Sequence, residues 1–267
     1  VVAATAMGGG AHLLDPYQPG RGFLRSMPAQ CKIVAAFGYV ICVVVTPITA
    51  GWAFGVHLLV LASLCALARL RPLFVIRRLA VEIPFLAFAA ALPFVVPGPR
   101  VELLGLGLSR PGLEQAFGLL ARATLGLMTV IVLAATTPAN DLLAGLERLR
   151  LPPVIIAVAS FMIRYSGLVV DQMRRMGVAR RSRGHEPRSL RATGVLAASL
   201  GNLFIRSYER GERVHLAMLA RGYSGTMPAA TPIVSPRPGQ WATASALVVL
   251  GVVVAVAGRS LDLGVAS

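Results

Sequence analysis

Phosphate chemistry at a P-loop needs a lysine followed by Ser or Thr on a glycine-rich turn, because the ammonium reaches the phosphates and the hydroxyl holds Mg2+. The only lysine is Lys32, which stands between Cys31 and Ile33, so the chain has no P-loop of its own. Zinc-type catalysis needs His, Cys or carboxylate ligands at short helical spacing. His12, His57, His185 and His215 are isolated and form neither HExxH nor HxH. Cys31, Cys42 and Cys65 lie in or beside apolar runs without CxxC spacing, so they are expected to be small buried apolar residues rather than disulfide partners or metal ligands. No catalytic residue, metal or cofactor is expected.

A positive signal lies elsewhere, in the tripeptides Ser182-Arg183-Gly184 and Ala220-Arg221-Gly222. Glycine just past a helix end adopts the left-handed C-cap at little cost, and an arginine in the final turn meets the negative end of the helix dipole. Helix termination alone accounts for one such tripeptide. Two of them, each ending a long basic helix, favour docking, because an exposed guanidinium offers five donors to a groove on a partner. Between them Arg206, Glu209, Arg210 and Arg213 form a stripe with an expected Glu209–Arg213 i,i+4 pair, read as a solvated face.

The elements that must carry these tips are helices in or against a membrane. Of 267 residues 56% are apolar and 14% are charged, with a mean hydropathy of +0.72, more apolar surface than one soluble core of this size could hide. The net charge of +15 sits in blocks between apolar runs, as the positive-inside rule produces, so topology explains it and a nucleic-acid partner is not expected. The first thirty residues lack the 7–15-residue apolar stretch of a cleavable signal peptide and read as a flexible or surface-lying segment. The chain opens at Val1 rather than Met, so its natural start is expected to differ.

Residues Ile33–Ala68 are 36 residues without a charge, split by Thr46-Pro47 and Gly51 into two short spans. Gly51 and Gly55 form a GxxxG, read as close helix packing. The following cluster, Arg69, Arg71, Arg77 and Arg78, is expected in the cytoplasm, and the N-terminus with it. A third span is expected over about 79–96, with Glu82 snorkelling or pairing with Arg78, and a neutral outer loop follows Pro97-Gly98-Pro99. A fourth covers about 117–137, with Arg122 as a snorkelling residue near Glu114 or Glu102. A fifth covers about 238–258, led by Trp241, and places the C-terminus outside.

From Pro138 to Gln240 there are fifteen arginines and six acids, a surplus of nine positive charges that places this segment in the cytoplasm. A short helix is expected over about 139–149. Two long helices of roughly 25 to 30 residues follow, about 40 Å each. Their uncharged leading runs, Leu151–Ile163 and Ala192–Ile205, are too short to span, so these helices are expected to start against the membrane bundle and extend into water. The fold class is therefore all-α: a polytopic bundle of about five spans with a cytoplasmic coupling domain of one short and two long crossed helices. The division is 1–137 for the tail and four spans, 138–237 for the coupling domain and 238–267 for the last span.

The stretches Ala134-Ala135-Thr136-Thr137-Pro138, Asp141-Leu142-Leu143, Arg148-Leu149-Arg150-Leu151-Pro152, Arg164-Tyr165, Ser182-Arg183-Gly184 and Ser207–Tyr223 together resemble the transmembrane T component of energy-coupling factor (ECF) transporters, the CbiQ/EcfT family. The 98–106 and 207–223 stretches resemble its cobalt-type CbiQ branch. The resemblance implies a non-catalytic subunit of an ABC importer in a bacterial or archaeal cytoplasmic membrane, for cobalt destined for cobalamin biosynthesis. Its implied partners are two ABC ATPase subunits (CbiO-like) and a substrate-binding membrane S component (CbiM-like, with a CbiN-like small subunit), in the lipid membrane. Arg183 and Arg221, with Ser182, Gly184, Ala220 and Gly222, would then be the ATPase-coupling tips. Two positions depart from the family: Ser182 replaces the usual Ala, and Gln172 stands where a Glu often follows Asp171, removing any salt bridge from that Glu. A different class, a polytopic membrane enzyme using Asp141 or Asp171 on a headgroup or phosphate substrate, would show activity from the chain alone. An ordinary ABC permease would need polar spans that this sequence lacks.

Overall fold

Proline has no N–H to lose at a helix start and its φ suits the first turn, and here it opens element after element. The computed structural model describes residue 17 and residues 23–103, 106–184, 192–225 and 237–265. Its helices are α1 (Phe23–Ser26), α2 (Ala29–Val45, after Pro28), α3 (Gly51–Leu67), α4 (Pro72–Leu79), α5 (Ile83–Val95), α6 (Arg110–Thr136), α7 (Ala139–Arg148, after Pro138), α8 (Pro153–Ser182), α9 (Ala192–Leu219) and α10 (Pro238–Val265). A 3₁₀ turn, Ala80–Glu82, joins α4 to α5. The fold is the helical bundle expected, with one addition in the loop between α5 and α6: β1 (Arg100–Leu103) pairs antiparallel with β2 (Leu106–Ser109), Arg100 opposite Ser109. The expectation for the N-terminal segment falls, Tyr17 and the residues from Phe23 on apart, outside the described residues.

Two compact units emerge, the described residues of Tyr17–Gly145 with those of Ile233–Ser267, and the described residues of Leu146–Pro232. In the first, α2 packs on α10 and α6, and α5 on α6. Tyr39, Val43, Phe54, Leu61, Leu125 and Met128 form the largest buried cluster. Cys31 and Cys42 are buried, as their apolar setting suggests, whereas Cys65 is only half-buried. Close helix contact occurs at Gly251, where a Cβ would lie 3.0 Å from the Cys42 Cβ. The Gly51–Gly55 motif does not supply such a contact: a Cβ at either position meets nothing within 4 Å.

Pro72–Val95, Arg110–Thr136, Pro153–Ser182 and Pro238–Ser260 are long and apolar enough to cross a membrane by length and composition, and Ala29–Val45 and Gly51–Leu67 are shorter apolar helices. The third expected span thus starts earlier, at Pro72, because the helix runs on through Arg77 and Arg78. Pro153–Ser182 meets that criterion because Arg164, which ends its uncharged leading run, is the single charge before Asp171.

Polar residues inside the first unit find partners other than those the sequence suggested. Glu82 does not pair with Arg78 but accepts from the Thr124 hydroxyl, 3.0 Å from each carboxylate oxygen, while Arg78 lies over the Phe74 ring at 4.9 Å. Arg122 does not pair with Glu114, which Arg110 takes at 3.3 Å; its Nη2 donates to the Thr46 carbonyl at 2.8 Å. The reason is Pro47. It ends α2 and leaves that carbonyl without a helical N–H, so a donor from α6 supplies the missing bond.

Candidate functional site: two arginine-glycine helix ends

The second unit is built on α8 and α9, which pack against each other. Their 30 and 28 residues correspond to about 45 and 42 Å of helix. Pro153 opens α8, and nothing in either helix interior is a proline. Both helices therefore run unbroken to their ends.

The two ends close alike. At α8, the Arg183 N–H donates to the Arg180 carbonyl at 3.1 Å and the Gly184 N–H to that of Arg181 at 3.0 Å. At α9, Arg221 donates to Met218, Gly222 to Leu219 and Tyr223 to Met218, each at 3.0 Å. Gly184 and Gly222 have φ of 77° and 81°, the left-handed C-cap that their sequence suggested. In each case the arginine is the last residue before the chain turns, and Ser182, Arg183, Gly184, Ala220, Arg221 and Gly222 are all exposed. Ser182 adds a bond to its own helix, donating to the Ala179 carbonyl at 3.0 Å.

Elsewhere the arginine itself takes the left-handed position. Arg69 (φ 53°) and Arg150 (φ 65°) close α3 and α7, with Leu70 and Leu151 donating back to Cys65 and Leu146. A side chain there costs about 1–2 kcal/mol. At the two tips glycine removes that cost and the arginine sits one residue earlier, at the helix end itself.

Between α8 and α9 runs a groove of about 440 Å3 whose walls include Phe161, Tyr165, Arg210, His215, Met218 and Tyr223. Phe161 and Tyr165 stack at 6.1 Å. Tyr223, just past the Arg221-Gly222 tip, thus lines the same groove as Tyr165. Its one signal in the sequence is the recurrence of Val158, Phe161, Met162, Tyr165 and Val169 at three- and four-residue spacing along one helix face. The expected Glu209–Arg213 pair does not form; among the described residues the one ion pair is Arg110–Glu114. Arg210 lines the groove instead of belonging wholly to a solvated stripe. Gln172 has its Oε1 buried without a hydrogen-bond donor.

Among the described residues no three His, Cys, Asp or Glu side chains cluster as a metal site. Asp141 stands in the first turn of α7 and Asp171 within α8. His57 is packed in the helical hairpin with Tyr39 and Thr46, its Nδ1 3.0 Å from the Tyr39 hydroxyl and its Nε2 3.3 Å from Thr46 Oγ1.

These features define a multi-pass helical membrane protein with a pair of long helices ending in matched, exposed Arg-Gly tips. The family model described as "Cobalt transport protein", CbiQ, matches residues 20–232. The chain belongs to the CbiQ family, the T components of ECF transporters that its motifs resemble. It is 35% identical over 170 residues to the cobalt transport protein CbiQ of Rhodobacter capsulatus, covering 58% of this chain and 68% of that one. It is 24% identical over 235 residues to the energy-coupling factor transporter transmembrane protein EcfT of Staphylococcus aureus, covering 80% and 85%. A putative fused cobalt transport protein CbiMQ of Methanocorpusculum labreanum is 24% identical over 215 residues, 76% of this chain and 35% of that one.

Proposed function

We propose that this chain is the coupling subunit of an ECF-type importer. Arg183 and Arg221 each enter a groove on one of two cytoplasmic ABC ATPases, and α8 and α9 carry ATP-driven movement of those subunits to a substrate-binding membrane component. The observation that carries this reading is the repeated closure at Gly184 and Gly222, which presents an arginine at the end of each long helix. A guanidinium can lose its water in such a groove when it meets carboxylates or carbonyls in a planar, many-donor geometry. An unbroken helix moves as one piece, so displacement of its tip reaches residues tens of ångströms away.

The surplus of positive charge over residues 138–237 and the Arg69–Arg78 cluster support a cytoplasmic location for the N-terminus and for both tips. Cobalt is the cargo that the family description and the names of the CbiQ and CbiMQ relatives favour. The fused relative's name also favours a CbiM-like component as the membrane partner. The chain contributes coupling, and the ATPase activity resides in CbiO-like partners.

The test is co-expression with CbiO-like ATPases and a CbiM-like membrane component, with purification through a tag on the chain and cobalt and nickel uptake measured in cells. Arg183→Glu with Arg221→Glu is expected to leave the protein inserted while ATPase recovery and uptake fall to background. Normal uptake by the double variant would remove the tips from the mechanism. ATPase or hydrolase activity from the chain purified alone would point to a membrane enzyme instead.

A further inference from the structure

Lys32 is the only lysine in the chain, stands in the first turn of α2 and is buried. Its Nζ donates to the Thr136 carbonyl at 3.1 Å and to Thr137 Oγ1 at 3.2 Å. Thr136 is the last residue of α6. The closing carbonyls of a helix have no helical N–H to accept from, and an ammonium meets them at the negative end of the helix dipole. The same turn of α2 meets the chain a second time, on α7. A Cβ at Gly145 would lie 2.9 Å from the Gln30 backbone nitrogen and 3.1 Å from the Ala29 carbonyl carbon, closer than a side chain fits. Residues 29–32 thus hold the chain at Thr137, before α7 begins, and at Gly145, nearly two turns into it. Gly145 is also where the first compact unit ends, and Leu146 belongs to the second. α7 is therefore one helix with residues in both, and only Leu149–Pro152 separate it from α8.

We propose that Lys32 is a positioning residue for coupling: with Gln30 and Gly145 it clamps the first half of α7 on α2, so that movement arriving along α8 turns α7 as a lever fixed to the first unit. This rests on the coupling role proposed above. Burying an ammonium among hydrocarbon is costly unless its donors are met, and an apolar residue would pack α2 without that cost. What the ammonium adds is direction, because its two bonds tie the end of α6 and the residue after it to one point of α2. A helix held at one point pivots freely, whereas one held at two passes its displacement on. The clamp touches neither cargo nor ATPase, so its loss separates hydrolysis from uptake.

Hydrogen exchange of the purified full chain in detergent tests the clamp, and the complex with CbiO-like ATPases and a CbiM-like component in proteoliposomes tests coupling. Lys32→Met keeps the length and loses the donors, Thr137→Val keeps the shape and loses the acceptor, and Thr137→Ser keeps the hydroxyl. Exchange over residues 139–145 is expected to rise about tenfold in Lys32→Met, as for hydrogen bonds lost to a charged group, while exchange over α8 stays at the wild-type rate. Cobalt or nickel taken up per ATP hydrolysed is expected to fall about tenfold in Lys32→Met and less in Thr137→Val, with hydrolysis within about twofold of wild type and Thr137→Ser unchanged. Unchanged exchange over residues 139–145 would show that no clamp exists. Unchanged uptake per ATP in both loss variants, or hydrolysis that falls in step with uptake, would leave Lys32 a packing residue and overturn the proposal. A wild-type complex that hydrolyses ATP without uptake would overturn the coupling reading itself.

Discussion

Arg122 Nη2 donates to the carbonyl oxygen of Thr46 at 2.8 Å, across 76 residues of sequence. That carbonyl belongs to the residue before Pro47, where α2 ends, and the bond ties the broken hairpin of α2 and α3 to the middle of the first unit. Arg122→Leu is expected to lower stability by about 1 kcal/mol, toward the low end for an orphaned acceptor, because the buried Arg122 Nε lacks a partner of its own and its removal offsets part of the loss. Thermal unfolding in detergent measures this, and an unchanged midpoint would show that the bond contributes nothing.

The Tyr39–His57–Thr46 chain leads to a second expectation. The Tyr39 hydroxyl lies 3.0 Å from His57 Nδ1 and 3.3 Å from the His57 carbonyl, His57 Nε2 lies 3.3 Å from Thr46 Oγ1, and Thr46 donates to the Cys42 carbonyl at 2.8 Å. Tyr39→Phe leaves Nδ1 without its partner in a fully buried setting and is expected to cost about 1–3 kcal/mol. A double-mutant cycle with Thr46→Val should give a coupling of about 0.5 kcal/mol or more, since both partners act through one ring. Strict additivity would show that they do not.

At the tips, Gly184→Ala and Gly222→Ala meet no steric neighbour within 4 Å but hold a side chain at φ near 80°. Each is expected to destabilise its helix end by about 1–2 kcal/mol, and Asn in the same place by less. Amide exchange should speed up in the last turn of α8 or α9 alone. Faster exchange throughout the helix would mean that the tip supports more than its own closure.

Two further glycines separate space from propensity. A Cβ at Gly145 would sit 2.9 Å from the Gln30 backbone nitrogen, whereas one at Gly211, inside α9, meets nothing within 4 Å. Gly211→Ala is expected to stabilise by up to about 1 kcal/mol through helix propensity. Gly145→Ala is expected to destabilise, since α7 would have to move off the start of α2. Unfolding midpoints that shift in the same direction for both would contradict this contrast.

The sequence alone determined the helical class, the two short apolar helices divided at Thr46-Pro47, and the glycine C-caps at Gly184 and Gly222. Charge periodicity, proline and glycine are local signals, and these features are set locally. It also led to the family, through motifs that lie mainly on α7, α8 and α9.

Partner choice among polar side chains was decided only by tertiary structure. Glu82 stood four residues from Arg78 yet bonds Thr124, Arg122 had acids near it in sequence yet bonds Thr46, and Glu209 forms no ion pair with Arg213. The groove beside Tyr165 and Tyr223 and the hold of Lys32 on Thr136 and Thr137 were likewise invisible, because each joins residues distant in sequence. Helical spacing says which residues share a face, but a hydrogen bond in an apolar interior goes to whichever orphaned group the packing brings within reach.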